Sequence, residues 1–212
     1  MGNIGIIGRA RVGKDTVGQW LVNNRGYRRI GFADPLKEAA LKLDPIIHAT
    51  AERSSTYGYG GEIVPVWDTE THPLSDIVRR MGWEAAKDEF PEVRRILQEL
   101  GAAVRAIDED FWLRAAMRRV QEANEAGVPA VITDVRYPNE AASLRRAGFH
   151  LVYIERPDVE QLVHESEGAL GPEDAGWMIR NEDDLESFLV DVEGFAYHVE
   201  RTESRRHYAR TH

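Results

Sequence analysis

Residues Gly8-Arg9-Ala10-Arg11-Val12-Gly13-Lys14-Asp15-Thr16 carry the first chemical signal in the chain. Gly8 and Gly13 have the spacing of a triphosphate-binding loop, and Lys14 follows directly. Glycines let backbone N–H groups turn inward around phosphate oxygens, and the positive end of a following helix faces the same anion. Lys14 supplies a point charge for β- and γ-phosphates. The usual hydroxyl beside the lysine is replaced by Asp15, with Thr16 one place later. Either can take the magnesium-side position: the reading puts Asp15 near the metal, directly or through water, and Thr16 near the α-phosphate.

A second cluster runs Ala130-Val131-Ile132-Thr133-Asp134-Val135-Arg136-Tyr137-Pro138-Asn139-Glu140. An apolar strand delivers Asp134 and Arg136 to its carboxyl end, and Glu140 falls in the first turn of the next helix. The planar fork of Arg136 suits a phosphate or carboxylate. The bland alternative is that Asp134 caps a turn and Arg136 pairs with Glu140. Asp34 and Lys37, after the second strand, face the acceptor side. Gln98, read as lying on a buried helix face, is a candidate base reader, because an amide can pair with a base edge. Trp112 is a candidate stacking ring. Arg156 is placed to reach the transferring phosphate from a lid. Asn181 is an adenine contact or a helix cap, and His164 is a proton carrier or a structural residue.

The elements that must position these groups alternate between strand and helix. Short buried strands are expected at Asn3–Ile7, Arg28–Phe32, Ala130–Thr133, Leu151–Ile154 and Met178–Ile179. Helices are expected at Lys14–Asn24, Asp34–Leu43, from Leu74 to a break near Phe90-Pro91, Glu92–Leu100 stopped by Gly101, Phe111–Ala126, Asn139–Ala147, Val159–Ser166 and Asp184–Val192. Thr50–Pro73 shows no sustained period and reads as a loop, and the last dozen residues read as frayed. Buried strands between helices imply a parallel sheet covered on both faces, with ligands at the carboxyl ends of its strands.

Bulk properties narrow the function. The chain has 212 residues, 42% apolar and 30% charged, the balance of a globular enzyme. It has no cysteine, which excludes disulfides and thiolate metal sites. The formal net charge of -9 argues against a polymeric nucleic-acid partner, though not against small phosphates. The apolar amino-terminal stretch is too short for a signal peptide or a spanning helix, so no membrane partner and a cytoplasmic location are expected.

With the segments GRARVGKDT, FADPLKE, LQELG, DFWLRAA, VITDVRYPNE, YIERP, HESE and IRNEDDL in order, the chain resembles the deoxynucleoside monophosphate kinases of bacteriophages. The GKDT loop and the TDxR segment ending at Glu140 are the most specific parts. The resemblance implies a P-loop, nucleoside-monophosphate-kinase-like α/β fold. It implies a five-stranded parallel sheet flanked by helices, with a lid near 155–180 and an acceptor-binding helical insertion near 45–125. It implies ATP as donor, Mg2+ as cofactor and a deoxynucleotide as acceptor, in the host cytoplasm for a phage-encoded chain. Gly8, Arg11, Gly13, Lys14, Asp15, Thr16 and Asn181 then form the donor site. Lys14, Arg11, Arg136 and Arg156 stabilise charge, and Asp34, Lys37, Gln98, Trp112, Asp134, Arg136 and Glu140 form the acceptor site. Relatives often carry a lysine where this chain has Ala10, so Arg9 is the candidate replacement. Two alternatives stay open: a kinase acting on a hydroxymethylated pyrimidine in phage DNA, and a switch that hydrolyses a nucleoside triphosphate. Base preference and a homodimeric state also stay open.

Overall fold

The computed structural model describes residues 2–157, 169–182 and 184–211. The helix expected at Val159–Ser166, and His164 within it, lie outside the described residues. The chain divides into two compact units, one of Met1–Asp34 with Trp112–His212 and one of Pro35–Phe111.

The first unit is built on a parallel sheet. In chain order its elements are β1 (Ile4–Ile7), α1 (Lys14–Arg25), β2 (Arg28–Ile30), α5 (Phe111–Glu125), β5 (Ala130–Val135), α6 (Pro138–Arg146), β6 (His150–Glu155), β7 (Trp177–Arg180) and α7 (Leu185–Thr211). The strand order is β2-β5-β1-β6-β7, and each pairing is parallel. β1 sits at the centre because it is apolar throughout, with Ile4 and Ile6 fully buried. Alternation along β1 sorts the two faces. Ile4 and Ile6 join Val17 and Leu21 of α1 and Phe188, Val192 and Phe195 of α7. Ile7 joins Leu113, Ala116 and Val120 of α5 and Ala141 and Leu144 of α6. A helical layer on each face buries both sides of the sheet, as unbroken apolar strands require.

The second unit has its own core. It contains α2 (its first residue, Asp34, belongs to the sheet unit; the helix ends at Leu43), β3 (Ile46–Tyr57), β4 (Ile63–Pro73), α3 (Leu74–Glu89) and α4 (Pro91–Ile107). Ala40, Leu74, Ile77, Ala86, Val93 and Leu97 form its buried centre. The second unit, Pro35–Phe111, overlaps the stretch 45–125 expected as a helical insertion; it includes the β3–β4 ribbon, and α5 from Trp112 onward groups with the sheet.

Three expectations about local structure are corrected. Thr50–Pro73 is not a loop: apart from the turn between the strands it belongs to an antiparallel ribbon running from Ile46 opposite Pro73 to Tyr57 opposite Ile63. Its Thr, Tyr, Val and Trp content is β-prone, but both faces are largely exposed, so no burial alternation marks it. Gly101 does not end a helix. α4 continues to Ile107, and Gly101 is buried where a Cβ would stand 3.2 Å from Leu36 Cδ2, so its smallness serves close packing. The carboxyl terminus does not fray at the expected place. α7 runs to Thr211, because its buried stripe extends through Ala196 and Val199. Beyond that stripe Glu203 meets His150 Nε2 at 3.0 Å and Arg206 at 2.8 Å.

Candidate functional site

The loop between β1 and α1 wraps tightly. Gly8 has φ 148° and Gly13 φ 108°, both in the region that favours glycine. A Cβ on Gly8 would stand 2.6 Å from the backbone oxygen of Ile154 in the adjacent strand. Gly8→Ala is therefore expected to destabilise the protein by about 2 kcal/mol through strain and overlap. Thermal unfolding measures this, and an unchanged melting temperature would contradict the close approach. Arg11 also takes a positive φ, 63°, which costs energy for a residue with a Cβ and tends to mark functional loops.

A cavity of about 420 Å³ opens beside this loop, lined by Arg11, Gly13, Lys14, Asp15, Thr16, Arg156, Asn181, Leu185 and Phe188. Seven of these were singled out from the sequence, although they come from the β1–α1 loop, the end of β6 and the segment after β7. Arg11, Lys14 and Arg156 bring three cationic side chains to the wall against one acid, Asp15, in a chain whose formal net charge is -9. Such a local excess of positive charge concentrates anions. Lys14 Nζ donates to the backbone oxygen of Gly8 at 2.7 Å and to that of Arg9. Asn181 Nδ2 donates to the Val12 oxygen at 3.0 Å, and its backbone N–H to Glu155 O at 2.8 Å. It thus ties the phosphate loop to the far edge of the sheet. The N-terminal cap of α7 is Asp184 instead, whose Oδ1 accepts the Ser187 N–H at 2.8 Å. That bond holds the Asp184 carboxyl below its ordinary range. Leu185 and Phe188 form an apolar wall that the sequence reading missed.

Asp15 carries a partner that was also missed. Arg29 Nη2 donates to Asp15 Oδ1 at 3.0 Å, and Arg29 Nε donates to Thr133 Oγ1 at 3.2 Å. The signal was present, since two arginines in a short strand of an otherwise apolar sheet call for a reason. Among the described residues no group of three acidic or histidine side chains gathers to hold a metal ion. Asp15 and Thr16 nonetheless suit Mg2+ beside a triphosphate, because that ion takes most of its ligands from phosphate and water.

The second cluster is ordered by backbone contacts. Asp134 accepts the N–H groups of Phe32 and Ala33, at 3.0 and 3.1 Å, and so ties β5 to the turn after β2. Burial raises its carboxyl above the ordinary value, and those two bonds oppose the rise. Asp34 accepts the Gly31 N–H at 2.7 Å in the same turn. Glu140 Oε2 accepts the backbone N–H groups of Arg136 and Tyr137, at 2.8 and 3.0 Å, closing the start of α6. The Arg136 side chain remains exposed after β5.

Trp112 is only 6% exposed. In the second unit, Lys37 Nζ lies 5.6 Å from the centre of the Trp83 ring. Gln98 does not lie on a buried face as expected: on α4 the buried positions are Val93, Leu97 and Gly101, and Gln98 is exposed. A larger cavity of about 660 Å³ adjoins α5 and the α6–β6 turn, but it contains no residue of the phosphate loop.

This sheet order, with a glycine loop and lysine leading from the central strand into a helix, defines a P-loop kinase fold. The dephospho-CoA kinase from Campylobacter jejuni shares the architecture, with a TM-score of 0.50 over 96% of this chain and 100% of that one, at 11% identity. The model for deoxynucleotide monophosphate kinases matches residues 70–192, and the chain belongs to that family. It is a nucleotide kinase of the P-loop type. The matched stretch begins after the phosphate loop, so the donor-site reading stands on the loop's own geometry.

Two viral proteins are similar to the chain. One, from Acanthamoeba polyphaga mimivirus and provisionally named a deoxynucleotide monophosphate kinase, is 28% identical over 160 residues, covering 74% of this chain and 75% of that protein. The other, the uncharacterized protein ORF77 of Ictalurid herpesvirus 1 (strain Auburn), is 33% identical over 101 residues. That match spans 47% of this chain and 42% of the herpesvirus protein. Among the described residues no helix is long and apolar enough to cross a membrane.

Proposed function

We propose that the protein transfers the γ-phosphoryl group of ATP to the α-phosphate of a deoxynucleoside monophosphate, giving ADP and a deoxynucleoside diphosphate. The observation that carries this reading is the cavity at the glycine loop, where Arg11, Lys14 and Arg156 converge. The acceptor phosphate is already ionised near neutral pH, so the transfer needs positioning and charge neutralisation rather than a strong base. Lys14 meets the β- and γ-oxygens, while Arg11 and Arg156 balance charge at the transferring group. Gly8 and Gly13 admit the phosphates to the backbone. Asp15, directly or through water, or Thr16 would hold Mg2+, which would supply charge neutralisation at the triphosphate, and Thr16 is otherwise placed near the α-phosphate. Asn181 keeps the loop closed around the donor.

On the acceptor side, Arg136 is the phosphate-binding group. Glu140 holds the backbone of Arg136 and Tyr137 through Oε2, and Asp134 (both oxygens) and Asp34 (Oδ2) hold the turn after β2, so these acids act on the acceptor side chiefly by ordering backbone. Lys37, Gln98 and Trp112 remain proposed contacts to the acceptor. Gln98 is the more accessible base reader of the last two, because Trp112 is buried.

The test is a coupled assay of ADP release with each deoxynucleoside and ribonucleoside monophosphate in turn. ADP release that needs one or more of these acceptors is expected. Release at full rate without an acceptor would replace the kinase reading with that of a hydrolase. Arg136→Ala is expected to raise the acceptor KM by about tenfold or more while leaving the KM for ATP within about twofold, as loss of a charged phosphate contact should. An unchanged acceptor KM would remove Arg136 from that site.

A further inference from the structure

The first turn of α1 places an acid where the ligand is most negative. Asp15 lines the loop cavity, and its side chain is 84% exposed. A carboxylate beside a triphosphate repels it unless a cation stands against the acid. Before a metal ion binds, Arg29 is that cation, through its 3.0 Å contact to Asp15 Oδ1.

The guanidinium is held from a second side by Thr133 Oγ1 at 3.2 Å. Thr133 is buried, 2% exposed, and packs so closely on Gly18 of α1 that a Cβ there would overlap its methyl group. Arg29 thus joins α1, β2 and β5 at one point. Its planar fork lets Nε and Nη2 serve two acceptors at once, which a lysine cannot reproduce. Arg29 is not among the residues lining the cavity, whereas its partner Asp15 is.

We infer that Arg29 is a positioning residue that neutralises and aims Asp15, allowing a phosphate loop with an acid after its lysine to accept a triphosphate. This rests on the reading that the loop binds ATP. The side chains are 48% and 84% exposed, so the pair adds little to folding, and its effect falls on the ligand.

The experiment is calorimetric titration of ATP into the wild-type protein and into Arg29→Ala, Asp15→Asn and the double variant, with EDTA present so that no metal screens the acid. Arg29→Ala is expected to weaken ATP binding by about fivefold, the scale of one uncompensated charge near a partly solvated ligand. In the Asp15→Asn background the same change is expected to cost less than about twofold, because the repelling group is gone. Arg29→Gln, which keeps a donor for Thr133 but not the charge, is expected to weaken binding like Arg29→Ala. Equal losses in both backgrounds would mean that Arg29 does not act through Asp15, and native affinity in Arg29→Gln would mean that its charge is irrelevant. Either result overturns the inference and leaves the kinase reading standing. Absence of ATP binding to the wild-type protein would overturn both.

Discussion

Lys14→Ala is expected to lower kcat by about a thousandfold, roughly 4 kcal/mol of transition-state stabilisation. Charge shifts onto the β–γ bridging oxygen as the phosphoryl group leaves, and a cation in a partly enclosed cavity is worth most there. Lys14 Nζ donates to the backbone carbonyls of Gly8 and Arg9. When a nucleotide arrives, the ammonium is expected to exchange them for phosphate oxygens. Those two bonds contribute about 1 kcal/mol each to stability, so the variant should stay folded. Steady-state kinetics beside thermal unfolding separates the two effects. Turnover within about tenfold of wild type, at saturating substrates, would remove Lys14 from the transfer step.

Asp134→Ala is expected to be the most damaging of these changes to the fold. The carboxylate accepts two backbone N–H groups from Phe32 and Ala33, and alanine leaves both without that partner. Each buried donor left unpaired costs about 1–3 kcal/mol, for a total of about 4 kcal/mol. For a chain of this size that corresponds to a fall in melting temperature of about 12 °C. Asp134→Asn, which keeps one carbonyl acceptor, is expected to recover part of the loss. An unchanged melting temperature with a raised acceptor KM would show instead that Asp134 meets the substrate and does not organise the turn. The raised pKa of this carboxyl is compatible with the structural role. Burial makes its charge costly, and only the two N–H donors and the nearby Arg136 offset that cost.

The sheet was legible because its strands carry unbroken apolar runs, such as Ile4 to Ile7 and Ala130 to Ile132, closed by residues that can do chemistry. The phosphate loop was legible because glycine spacing and an adjacent lysine constrain backbone and charge together. The ribbon of β3 and β4 was not, since its two strands face solvent and leave no burial pattern. The course of α4 through Gly101 was missed for a different reason. A glycine that ends a helix and one that lets a leucine approach look alike until the neighbour, Leu36, is known. Gln98 was misplaced by the same ignorance of rotation about the helix axis.

The amino-acid sequence by itself determined the alternation of strands and helices, the loop from Gly8 to Thr16, and the presence of cations enough to receive phosphate. These follow from local rules: residue period, glycine geometry and fixed charge. Tertiary structure alone decided which groups share the cavity. It brought Arg156 and Asn181 to a loop far earlier in the chain, and set Arg29 against Asp15. It also turned the carboxylates of Asp134 and Glu140 toward backbone donors. Those outcomes depend on strand order and on the face each residue presents, and neither is written in the spacing of residues along the chain.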